Sequence, residues 1–169
     1  MKKELKIELV PEPLFGVNLR SKLTTKGWDI VRRTAYKEYD YKCAVCGGVG
    51  KKHPVEAHEL WIYDDCAGKQ YLSEVIAVCP ACHECFHLGC TMARRCNGKN
   101  PESCDSVMND IELRLIKGWG VCRDAVYFRV EAIFALHARR SEQEGWIQVL
   151  GSHVRIGQTS VCIADLFKP

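Results

Sequence analysis

Cys43 with Cys46 and Cys79 with Cys82 form two C-x2-C pairs, and His83 and His87 follow the second pair four residues apart. Four thiolates so spaced suit a tetrahedral Zn²⁺ closed to solvent, a structural site that steadies a fold too rich in loops to support itself. Residues four apart on a helix project from one face, so His83 and His87 can bind one ion. His58 lies in the apolar, strand-like run VEAHELWIY with Glu59 beside it, and a hairpin held against the helix by the zinc would bring His58 to the same ion. The competing account is that each histidine is a satisfied polar residue or that the three hold a purely structural ion.

Eleven cysteines among 169 residues leave seven outside these pairs. Cys85, Cys90, Cys96 and Cys104 are close enough in sequence to form a second zinc site, against the alternative of reduced, partly buried thiols. Cys66, Cys122 and Cys162 have the character of small apolar residues. The segment MKKELKIELVPEP mixes both charge signs and lacks the pattern of a secretory leader, so the expected setting is the cytoplasm, where clustered cysteines serve as metal ligands more often than as disulfides. No run approaches the roughly 18 apolar residues of a membrane span.

The elements that must position these residues follow from periodicity. Residues 1–41 form an extended arm and then a basic helix, capped by Thr24 or Thr25 and carrying Trp28, Val31, Ala35 and Tyr39 at helical spacing. Residues 42–100 form the zinc-braced core: the knuckle CAVCGG, a Gly/Lys loop ended by Pro54, a hairpin from VEAHELWIY and YLSEVIAVC, and a helix that starts at Pro80 and runs through Cys90. The stretch TMARRCNGKNPESCDS is expected as loop. Residues 101–169 form a helical C-terminal region packing on the core, with helices in VMNDIELRLIKGWG and RDAVYFRVEAIFALHARR and short strands in GWIQVL and TSVCIADLF. The stripe Val126, Val130, Ile133, Phe134 and His137 serves packing or dimerisation. The predicted class is α+β.

Charge is uneven. Residues 1–54 hold 12 Lys/Arg against 6 Asp/Glu, and residues 55–169 hold 12 against 15. A basic first third suits a phosphate backbone, and Lys26, Arg32, Arg33, Lys37, Lys51 and Lys52 are the candidate contacts; a solvated face without a partner is the alternative.

Over Lys42 to Gly89, the order C-x2-C, VEAHEL, AVCPACHECFH resembles the HNH endonuclease family. The resemblance implies a ββα-metal core braced by zinc, a divalent ion such as Mg²⁺, Mn²⁺, Ni²⁺ or Zn²⁺ for catalysis, and hydrolysis of DNA phosphodiester bonds. Family members carry Asp-His or His-His where this chain has His-Glu. In one register His58 binds metal with His83 and His87, and Glu59 stands where the family has its general base; in the other His58 is the base and Ala57 occupies the metal position. The first register yields three imidazoles for one ion and is preferred. Asp64, Asp65 and His53 are reserve candidates near the same cleft. The alternative function is an inactive zinc-containing module on the same scaffold, binding nucleic acid or protein, and the alternative from a third class is a zinc hydrolase of another substrate. No membrane partner is expected, and a homodimer is left open.

Overall fold

The computed structural model describes residues 2–96 and 101–168, with no account of the side chains of 101–103. It is an α+β chain with six α-helices and two small sheets among the described residues. The arm, residues 2–10, is extended and tied down at both ends: Lys3 N–H donates to Ala44 O at 2.8 Å and Glu8 N–H to Phe86 O at 2.8 Å. A 3-10 turn at Glu12–Leu14 and α1 (Leu19–Lys22) follow, then α2 (Thr25–Glu38). Thr24 caps α2 by accepting from Gly27 N–H, one of the donors a helix start leaves unpaired. Gly27 is required there, because an added Cβ would lie 2.8 Å from Leu166 Cβ.

β1 (Glu56–Asp64) and β2 (Lys69–Val78) form an antiparallel hairpin, and β3 (Ile147–Val149) joins β2 in parallel. Side chains alternate between the two faces of a strand, and residues directly opposite each other share a face. His58 pairs with Ile76 and Glu56 with Val78, whereas Glu59 pairs with Val75. Ile76 and Val78 belong to one apolar cluster, with Leu5, Phe86, Leu88, Ile111, Leu115 and Val126. Val75 belongs to the other, with Leu19, Leu23, Val31, Ala35, Val154 and Ile156. The sheet is thus buried on both sides, and neighbouring residues of β1 serve different faces.

After β2 the chain turns into α3 (Pro80–Phe86), breaks at His87 and continues as α4 (Leu88–Arg95). The expected single helix through Cys90 is therefore two, because His87 takes φ −98° and ψ 41°, outside regular helix geometry. Part of the stretch expected as loop is helical: α4 covers residues 91–95 and α5 spans Pro101–Trp119, while residues 97–100 lie outside the described residues. α6 (Arg123–Glu142) matches the expected helix, and its stripe lies on the core through Val126, Val130, Ile133 and Phe134. The C-terminal region is not helical throughout. Beyond β3, a small hairpin of β4 (His153–Ile156) and β5 (Thr159–Cys162) packs Val154 and Ile156 under β2. β4 escaped the sequence reading because HVRI is short and flanked by glycines, Gly151 and Gly157. No helix of the described residues is long and apolar enough to cross a membrane.

Candidate metal centre

The knuckle is closed by its own backbone: Gly47 N–H donates to Cys43 O at 2.8 Å and Cys43 N–H to Gly48 O at 2.9 Å. Gly47 has φ +75°, a conformation that costs glycine little. Cys79 follows the last residue of β2 at the N-cap of α3, and Cys82 lies in the first turn of that helix. The four sulfurs of Cys43, Cys46, Cys79 and Cys82 come together as the spacing predicts. Cys46 Sγ lies 3.7 Å from Cys79 Sγ. Two thiolates on a tetrahedral zinc with Zn–S bonds of about 2.3 Å stand about 3.8 Å apart, so the observed spacing fits that ion. S–H donation from Cys79 and Cys82 holds the Cys43 thiol below its usual range, while the neighbouring Cys43 sulfur pushes Cys79 up to about 11.

His58, His83 and His87 form the second cluster, their ligating atoms all within 4.8 Å of one another. His58 comes from β1, His83 from the middle of α3, and His87 from the break between α3 and α4. His87 N–H still donates to His83 O at 3.1 Å, so the two histidines keep the one-turn relation that puts both on one face. Ring centroids are 4.7–5.1 Å apart, with His58 also stacked on Phe86 at 4.3 Å. Burial, reinforced by His83, keeps His58 well below its ordinary range, and burial with His58 and His83 beside it lowers His87 to about 3. Both rings are therefore neutral at pH 7, the form that ligates metal. His58 Nε2 is buried and has no hydrogen-bond partner, and a cation coordinated by its lone pair would satisfy it.

No family model, curated protein or solved structure matches the chain.

Two carboxylates not singled out in the sequence stand at the histidines. Glu56 Oε2 is 2.5 Å from His83 Nδ1, and Glu8 Oε2 is 3.3 Å from His58 Nε2. Burial pushes the Glu8 carboxyl up to about 8 despite the opposing charge of Lys6. Strand alternation could have found Glu56, two residues from His58 on the same face. Nothing local points to Glu8, which meets His58 across 50 residues of chain.

Glu59 is elsewhere. It faces the Val75 side of the sheet, and its carboxylate accepts from Leu19 N–H at 3.0 Å and Arg20 N–H at 3.2 Å, closing the start of α1. The expectation that Glu59 stands as a base beside the histidines is therefore corrected: adjacent strand residues point to opposite faces. The reserve candidates are also engaged or distant. Asp64 accepts from Cys66 and Ala67 N–H in the hairpin turn, Asp65 pairs with Arg140 at 2.6 Å, and His53 is exposed on its loop.

The second zinc site is not assembled. Cys96 and Cys104 are joined as a disulfide, and Cys85 is buried with its S–H on Ala81 O at 3.4 Å. Cys90 lies on α4 at the histidine cleft. Cys66, Cys122 and Cys162, read as small apolar residues, are exposed.

The histidines open into a cleft of about 1180 Å³ whose walls include the arm, α1, β1 and α4. Its cationic side chains are Arg20, Arg94 and Arg95, and none of Lys26, Arg32, Arg33, Lys37, Lys51 and Lys52 lines it. Arg32 and Arg33 are both turned to Asp29 on their own helix, at 2.7 and 3.5 Å. Lys26, Lys37, Lys51 and Lys52 are exposed.

Proposed function

We propose that the protein is a metal-dependent endonuclease of the HNH type that hydrolyses DNA phosphodiester bonds. The supporting observation is the convergence of His58 from the hairpin with His83 and His87 from the following helix, at the floor of an open cleft and beside a four-cysteine cluster that fits zinc. A divalent ion held there would stabilise the charge that develops on the phosphate and on the departing oxygen. The chain's own residues bring the three imidazoles within reach of one ion, with the Glu56 carboxylate fixing the ring of His83. Arg20, Arg94 and Arg95 stand where the phosphates of a strand crossing the cleft would pass. Three imidazoles favour Zn²⁺ or Ni²⁺ over Mg²⁺, which prefers oxygen ligands.

A second reading is supported by the position of Glu59. With that carboxylate occupied by α1, the residue beside His58 is no base, and the same scaffold would serve as a zinc-containing module that binds nucleic acid or protein without cutting it. Plasmid nicking across Mg²⁺, Mn²⁺, Ni²⁺ and Zn²⁺, with His83→Ala beside the natural protein, separates the two. Ion-dependent nicking lost in the variant supports the nuclease. DNA binding that weakens with salt and no nicking under any ion supports the module.

A further inference from the structure

Four features surround Glu8, which belongs to the arm and lies outside the segment that carries the cysteine and histidine motifs. Its Oε2 is 3.3 Å from His58 Nε2, yet that nitrogen has no hydrogen-bond partner, so the two atoms are near each other without being bonded to each other. Neighbouring ligand atoms on a tetrahedral ion with bonds of about 2.0–2.1 Å are about 3.3–3.4 Å apart, and the Glu8–His58 pair has that separation. The group of ligand atoms within 4.8 Å of one another holds the three histidines without Glu8, whose side chain would turn in as the ion binds. The arm is pinned next to this residue by the Glu8 N–H bond to Phe86 O, and by the burial of Leu5 and Ile7. The Glu8 side chain is only 11% exposed, and a carboxylate so enclosed is costly unless a cation compensates it.

We propose that Glu8 is a ligand of the cation at His58, His83 and His87, so that the centre is a three-histidine, one-carboxylate site built from three separate parts of the chain. This rests on the reading of the histidine cluster as a metal site. The carboxylate reduces the net charge of the bound centre by one, the donor set suits a borderline ion such as Zn²⁺, and a phosphate oxygen would reach that ion by expansion to five-coordination. It also makes the arm part of the site instead of a strap over the core.

The test titrates protein whose four-cysteine site is already loaded with zinc, using further Zn²⁺ or Mn²⁺ in competition with a chromophoric chelator. The natural protein is expected to take one further ion, and Glu8→Gln to bind it at least about tenfold more weakly, with Glu8→Asp recovering part of the loss. Glu12→Gln, on the same segment and facing the same cleft, is expected to bind as tightly as the natural protein. Melting of Glu8→Gln without the further ion should be unchanged or raised, since a buried carboxylate is removed. Unaltered affinity in Glu8→Gln, with the ion lost in His83→Ala, overturns the role of Glu8 and leaves the three-histidine site standing. Weaker binding together with a lower melting temperature in the ion-free form overturns it as well, in favour of a purely structural role. Failure of the natural protein to take any further ion overturns both the inference and the metal site it rests on.

Discussion

Glu56 Oε2 lies 2.5 Å from His83 Nδ1, and the contact runs from the first residue of β1 to the middle of α3. A carboxylate on Nδ1 fixes the tautomer and leaves Nε2 as the free donor. Glu56→Ala is therefore expected to weaken ion binding at the histidines by about 10–100-fold, with the cysteine zinc retained. Chelator competition on the two sites separately reads the difference.

Glu59→Ala should behave in the opposite way. It leaves Leu19 and Arg20 N–H without their acceptor and is expected to cost about 1–3 kcal/mol of stability. Uptake of the ion at the histidines should be unchanged. Denaturant unfolding and ion titration on the same variant give both answers.

The cysteine cluster holds the knuckle to the junction of β2 and α3, so zinc removal should act on the fold before it acts on the cleft. Cys82→Ser, or a strong chelator at pH 7, is expected to lower zinc content by one ion per chain and to broaden or abolish cooperative thermal unfolding. Circular dichroism melts alongside metal analysis check this.

Glu74 ties the arm, the end of α2 and the β4 hairpin to β2 through a single carboxylate. Its carboxylate takes Lys3 of the arm at 2.7 Å, Tyr39 at the end of α2 at 2.9 Å, Arg155 of β4 at 3.2 Å and Gly157 N–H at 3.1 Å. Burial alone would raise its pKa, but the bonds from Lys3 and Tyr39 outweigh that and hold it below the ordinary 4.5. A depressed folded-state pKa contributes stability that is fully present above the unfolded value and is lost as pH falls through the folded one. Glu74→Gln should cost about 2–3 kcal/mol at pH 7 and show a flatter loss of stability below pH ~4.5 than the natural protein. Urea unfolding as a function of pH measures both.

Much of this architecture was legible in local pattern. The helices α2 and α6, the hairpin, both cysteine pairs and the three clustered histidines all follow from spacing, because a period of 3.6 or 2 and a C-x2-C turn are short-range signals. What spacing does not encode is the partner across the fold. Glu8 beside His58, and β3 joining β2 in parallel from the far end of the chain, are set by tertiary packing. The basic helix shows the same limit: composition located the positive charge, whereas the topology placed Arg20, Arg94 and Arg95, not Arg32 or Arg33, at the cleft.

The pairing of His58 with Ile76 and Glu59 with Val75 makes the composition of the centre a matter of strand register. A slip of β1 by one residue would exchange the faces, carrying His58 toward Leu19 and bringing Glu59 to His83 and His87. Insertion or deletion of a single residue in the turn between Asp64 and Lys69 thus offers a route by which an imidazole donor and a carboxylate donor are swapped without any change in side-chain identity.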